Sequence, residues 1–156
     1  MKSSIKILAS LLLTSISILA QNKKEEQMEK RIINPWKWQN KRSYVQAIEV
    51  TKPEGILYVS GQTAIDADGK SSTADMKTQL IQSIQNMEKV INEAGYECKN
   101  IVRLNMYTTS SEELFTCFDV FQNWIANHNI KQASTLLEVK SLFETLKIEL
   151  EATVVK

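Results

Sequence analysis

Gln132-Ala133-Ser134-Thr135-Leu136-Leu137-Glu138-Val139 and, after a short excursion, Lys147-Ile148-Glu149-Leu150-Glu151-Ala152-Thr153-Val154-Val155 are the last two patterned runs of the sequence. Both alternate polar and apolar residues, and the second is rich in branched side chains that suit a pleated surface, so both read as strands. A side-chain period of two puts Glu149 and Glu151 on one face. Carboxylates so placed are ordinarily solvated edge groups, and a catalytic acid is the rarer use of the same pattern.

Working outward, the 156 residues are 43% hydrophobic and 24% charged, with only 4 Gly and 2 Pro. That is enough chain for one well-packed core and too little for two. Formal net charge is +1 with lysines and glutamates interspersed, which leaves no electrostatic footprint for nucleic acid or for an anionic membrane surface.

Residues 1–20 differ from the rest. Lys2 and Lys6 precede an apolar run from Ile7 to Ala20, the pattern of an export signal with cleavage near Ala20. The run is short for a membrane span, and residues 21–31 read as a polar linker, so no stable membrane insertion is expected after processing. The expected location is periplasmic, with the folded domain over residues 32–156.

Cys98 precedes the strand that starts near Ile101, and Cys117 lies about a turn into the following helix. An eight-residue strand covers roughly 26 Å, and the helical residues running back recover only about 8 Å. The two sulfurs are therefore expected to be too far apart for a disulfide. With one His and no Cys pair at ligand spacing, no metal site is expected either.

Upstream, Ile32-Ile33-Asn34-Pro35-Trp36-Lys37-Trp38 has no period, and its tryptophans suit packing or the wall of a ligand pocket. Ser43 to Val50 alternates as a strand, Pro53-Glu54-Gly55 supplies a turn, and Ile56 to Ser60 is a second strand expected to pair with the first as a hairpin. Gly61 ends or bulges that strand. From Asp75, Met76, Leu80, Ile84, Met87, Ile91 and Ala94 recur at helical spacing before Gly95, a C-terminal stop. Ile101 to Thr108 is a further strand. Ser110-Ser111-Glu112-Glu113 carries a helix-starting Ser-x-x-Glu, and Leu114, Phe118, Phe121 and Ile125 continue as one amphipathic helix ending at His128, which reads as a structural cap. No glycine-rich phosphate loop or Ser-His-Asp set occurs, and no cofactor is expected.

This order gives an α+β domain, one mixed sheet with both helices on a single face. Ile56, Val59, Leu137 and Val155 are expected to leave the opposite face apolar, which points to an oligomer.

Taken together, Ser43-Tyr44-Val45-Gln46-Ala47, Leu57-Tyr58-Val59-Ser60-Gly61-Gln62, the helix through Asn86 to Gly95, Ile101 to Tyr107, and Ala133-Ser134-Thr135 through Lys147 to Ala152 resemble the RidA (YjgF) family of enamine and imine deaminases, over roughly residues 40–155. The resemblance implies a chorismate-mutase-like fold and a homotrimer with a small-molecule pocket at each subunit boundary. It also implies Glu151 as the group that positions or activates water, Tyr44 as an aromatic wall of the pocket, and Gly61 as backbone at its border. Trp38 and Thr135 are further candidate contacts.

The position at which the deaminases carry an arginine for the substrate carboxylate is Ser134, as in an arginine-less branch of the family. One neutral hydrogen bond in place of two charge-assisted ones weakens carboxylate binding by about 2–4 kcal/mol unless another cation compensates. Arg42 and Lys131 are the nearest candidates in sequence. Two readings follow: hydrolytic deamination of a reactive enamine, imine or related metabolite with altered specificity, or a non-catalytic trimeric module that binds a metabolite.

Overall fold

The computed structural model describes residues 27–156; the expected export signal 1–20 and residues 21–26 of the expected linker lie outside the described residues. Strand β1 (Glu29–Ile33) is followed by a 3-10 turn (Lys37–Lys41), β2 (Ala47–Thr51), β3 (Ile56–Thr63) and helix α1 (Met76–Glu93). A second 3-10 turn (Cys98–Asn100) leads into β4 (Ile101–Thr108). Helices α2 (Ser111–Thr116) and α3 (Phe118–Asn127) then precede β5 (Ala133–Glu138) and β6 (Ile148–Val155).

The main sheet runs β3-β6-β4-β5. Strand β6 is antiparallel to both neighbours, and β4 and β5 are parallel. The alternation read from the sequence decides which residues enter the core. Ile148, Leu150, Ala152 and Val154 of β6 join Leu104 and Met106 of β4 beneath the helices, while Glu149, Glu151 and Thr153 occupy the opposite, open face.

Helix α1 supplies the largest apolar stripe of the core. The Asp75 carboxylate caps its start by accepting from Thr78 N at 2.8 Å, and Met76, Leu80, Ile84, Met87 and Ile91 are all buried. Each such side chain contributes about 1.5–3 kcal/mol on leaving water. Gly95, at φ 72°, ends the helix: its N–H bonds Asn92 O at 2.9 Å and the Tyr96 N–H bonds Ile91 O at 3.0 Å, a paired left-handed cap. Ala94 therefore belongs to the cap and is exposed.

Several expectations are corrected. The helix expected from Ser111 to Ile125 breaks at Cys117 (φ −128°, ψ 20°), where Thr116 Oγ1 bonds Glu113 O at 2.7 Å and competes with the backbone ladder. Ser110 does cap α2, accepting from Glu113 N at 3.2 Å, but the Glu113 carboxylate turns to Lys147 Nζ at 2.6 Å. The β2–β3 hairpin does not form. Strand β2 pairs with β1, whose first residues read as linker, and Arg31 faces Glu49 across that ribbon with a 2.8 Å ion pair. Strand β2 also starts later than expected, because residues 39–46 are held by side chains. Gln39 Nε2 bonds Tyr44 O at 2.6 Å and Gln46 N bonds Asn34 Oδ1 at 2.9 Å, while Val45 bridges to Ala133 at the β5 edge.

The open face is also more polar than expected. Val59 and Val155 are each 3% exposed, so only Ile56 and Leu137 of the four apolar candidates are open to solvent. Arg103, Asn105, Tyr107, Glu149 and Glu151 occupy much of the remainder. Both cysteines are free, as expected, and both are buried. Burial, reinforced by the charge of Glu88, pushes the Cys98 thiol up to about 11.

One buried amide ties the helix to the loop before β6. Gln79, 0% exposed, reaches the carbonyls of Ser72, Ala74 and Thr145 at 3.0–3.3 Å with Nε2, and its Oε1 accepts from Lys147 N at 2.8 Å. Replacing it with Leu leaves these groups desolvated without their partner. A Gln79→Leu variant is expected to lose about 2–4 kcal/mol in urea unfolding, and a loss under about 0.5 kcal/mol would contradict this role.

Candidate functional site

The sheet register divides the expected site residues between two faces. Ser134 lies beside Leu104, and Leu104 beside Ala152, so Ser134 points to the helix side; Glu151 lies beside Asn105 and points to the open side. The two halves carry different chemistry.

On the helix side, at the edge of β5, a cavity of about 350 Å³ is walled by Phe115, Phe118 and Tyr44, with Ser134, Gln132, Lys41 and Arg42 among its polar members. Its volume is in the range that holds a metabolite. Tyr44 and Ser134 thus line one space, and Arg42 lines it too. Lys131 does not line this cavity. Ser134 is less available than its position implies, because its hydroxyl donates to Leu104 O at 2.7 Å and so presents only acceptor lone pairs elsewhere. Gln132, 0% exposed, donates to Ser43 O at 2.8 Å, and its buried Oε1 has no hydrogen-bond partner among the described residues. Both side chains therefore offer acceptors, and Lys41 and Arg42 supply positive charge.

On the open side, Gly61 and Glu151 line a shallow groove together with Tyr107 and Glu149. Gly61 sits in the irregularity between Val59 and Gln62 where β3 shifts register on β6, which is the bulge expected there. The Glu149 carboxyl group lies over this glycine, where a Cβ would force the Glu149 side chain to swing aside. Tyr107 OH donates to Glu151 Oε2 at 2.9 Å and Asn105 Nδ2 donates to the same oxygen at 3.2 Å. Among the described residues, Oε1 has no donor and is the oxygen available to a water. The row continues along β4 and β5, where Arg103 bonds Asn105 Oδ1 at 2.9 Å and Thr135 Oγ1 at 2.8 Å. Thr135 is therefore on the face of Glu151, not of its neighbour Ser134. The Glu151 hydrogen bond, the first of several causes, holds the Tyr107 phenol above its ordinary ionisation range.

Trp38 is a correction. It stacks on Trp36 with ring centroids 6.1 Å apart, is 51% exposed, and lines neither the cavity nor the groove. Arg103, Asn105 and Tyr107 were missed as site residues. Their signal was present, since polar residues at every second position of an otherwise apolar strand must share a face, and β4 lies beside the strand that carries Glu151.

A family model described as Endoribonuclease L-PSP matches residues 37–156. The chain belongs to this family, the RidA/YjgF family. A RutC family protein of Aquifex aeolicus is 29% identical over 113 residues, 72% of this chain and 88% of the relative. A 2-iminobutanoate/2-iminopropanoate deaminase of Salmonella typhimurium is 25% identical over 114 residues, 72% of this chain and 87% of the relative. Among solved structures, a Rid family protein of unknown function from Yersinia pestis superposes with a TM-score of 0.71 at 26% identity, over 81% of this chain and 98% of that one. The α+β, chorismate-mutase-like fold expected from the sequence is thus the fold of the RidA chains it resembles.

The open-face network has a spectroscopic consequence. In ultraviolet titration, with Tyr107→Phe supplying the difference signal, the Tyr107 phenol is expected to ionise at higher pH than free tyrosine and to return toward the ordinary value in Glu151→Gln. An unchanged titration in Glu151→Gln would show that the pair is not formed in solution.

Proposed function

We propose that this RidA chain hydrolyses a reactive enamine, imine or related small molecule at a site completed between copies of the chain. The carrying observation is the Glu151 carboxylate, fixed through one oxygen by Tyr107 and Asn105 with the other open to water. Relatives named as imine deaminases support the reaction class.

The chemistry needs water next to an electrophilic carbon and a group to carry protons. Glu151 takes a proton from water as its oxygen adds to the carbon of the protonated imine, giving a neutral carbinolamine. It returns that proton to nitrogen and takes up the hydroxyl proton as the C–N bond breaks, releasing ammonia and leaving a carbonyl. The substrate carboxylate, where present, is held by Arg42 in the place of the family arginine, with Tyr44 shaping the wall and Ser134 accepting hydrogen bonds.

Because the cavity and the groove lie on opposite faces of one sheet, a single chain cannot bring its own Ser134 and Glu151 to one substrate. Joining them takes a contact in which the Tyr44–Ser134 face of one copy meets the Gly61–Glu151 face of the next. Such a contact between unlike patches repeats head to tail and closes as a ring where its rotation permits, and the homotrimer implied by the family resemblance is one such ring. The second reading, a non-catalytic trimeric binding module, is favoured by the engaged Ser134 hydroxyl and the unpartnered Gln132 acceptor. Those groups suit a ligand that donates hydrogen bonds.

Ammonia release from freshly generated 2-iminobutyrate separates the two. Wild type is expected to exceed the uncatalysed rate, and Glu151→Ala to lower kcat by about a hundredfold or more. Ser134→Arg, which restores the charge-assisted anchor, is expected to lower KM for this carboxylate substrate by about tenfold or more. Equal rates for wild type and Glu151→Ala would remove the catalytic role. No hydrolysis even in Ser134→Arg, with ligand binding retained, would establish the binding module.

A further inference from the structure

Three side chains that the proposed reaction does not use converge between α1, the turn before β4 and the end of α3. Glu88 projects from α1, Cys98 opens the 3-10 turn, and His128 caps α3. One ligand-type atom from each lies within 4.8 Å of the other two. His128 Nε2 is 2.9 Å from Glu88 Oε1, and the indole Nε1 of Trp124 donates to the same oxygen at 2.7 Å.

We propose that Glu88, Cys98 and His128 form a binding site for a zinc-class divalent cation, separate from the cavity and groove described above. A thiolate, an imidazole and a carboxylate are the donors that borderline-soft first-row ions take, and three of them leave the fourth tetrahedral position to water. Ligand bonds of about 2.0–2.3 Å at tetrahedral angles require donor separations of roughly 3.3–3.6 Å. Reaching them takes small movements of two partners about Cys98, which is 4% exposed and fixed in the core: both draw in toward its sulfur while the His128–Glu88 pair, now 2.9 Å apart, opens slightly. The His128 and Glu88 side chains are 40% and 30% exposed and have room to rotate. Trp124, itself 7% exposed, holds the carboxylate as outer hydrogen-bond partners of metal ligands do.

A cation also answers an electrostatic problem in the cluster. A buried sulfur beside a carboxylate disfavours the thiolate, and a bound divalent ion reverses that preference by neutralising both donors. The ligands come from three separate elements, so no motif spacing announced them in the sequence, where metal binding was not expected.

Cobalt(II) is the direct probe on the full chain, since tetrahedral thiolate coordination gives a sulfur-to-cobalt charge-transfer band. Wild type is expected to bind one Co²⁺ per chain with that band, to be displaced by Zn²⁺, and to show a rise in Tm with Zn²⁺. Cys98→Ser is expected to lose the band, and His128→Ala to weaken Zn²⁺ binding at least tenfold, with the fold of each variant verified by circular dichroism. Should a variant fail to fold, carboxymethylation of Cys98 in metal-free wild type, and protection from it by Zn²⁺, tests the same contact. Absence of the band in wild type, or a band and affinity unmoved by both substitutions, would overturn the proposal. The result is independent of deaminase activity.

Discussion

The period of two along β6 governs the rest of the molecule. It sends Ile148, Leu150, Ala152 and Val154 beneath α1 and leaves Glu149 and Glu151 on the open side, so one strand both anchors the core and presents the acid. Because β6 lies between β3 and β4, a one-residue slip in its register would drive both carboxylates into an apolar core and expel its largest buried residues. The carboxylates' exposure and the core's integrity are two readings of one geometric constraint.

That constraint also explains why the site is divided. Neighbours in a strand point to opposite faces, so Ser134 and Thr135 cannot serve the same surface. Ser134 joins Tyr44 and Arg42 on the helix side, and Thr135 joins Arg103, Asn105 and Glu151 on the other. The two faces differ in character, one an aromatic-lined hollow with acceptors and a cation, the other a hydrogen-bonded polar row. In the proposed reaction the first face would hold the substrate and its carboxylate, and the second would supply the base for water.

Elements whose signal is local were legible in the sequence. The stripe from Met76 to Ile91, the Asp75 start and the Gly95 stop define α1 without reference to anything distant. The break at Cys117 was hidden because it depends on where the Thr116 hydroxyl bonds, which apolar spacing does not encode. The β1–β2 ribbon was hidden because Glu29-Lys30-Arg31 is too polar to read as a strand until Glu49 lies opposite Arg31. The candidate site residues could be named by type from the sequence but not assigned to a face. Parity within a strand can be read from sequence, whereas the register between strands, which sets Ser134 beside Leu104 and Glu151 beside Asn105, is a tertiary property.

The central claim is that one active site draws on two copies of the chain, and subunit complementation measures it most directly. Arg42→Ala/Tyr44→Ala disables the cavity half and Glu151→Ala the open-face half, and each is expected to be inactive alone. After co-refolding an equal mixture, imine hydrolysis should return to about a quarter of the wild-type level, the share of seams in a random ring that pair an intact cavity with an intact carboxylate. A mixture no more active than either parent, with mixed oligomers demonstrated by mass, would contradict the account.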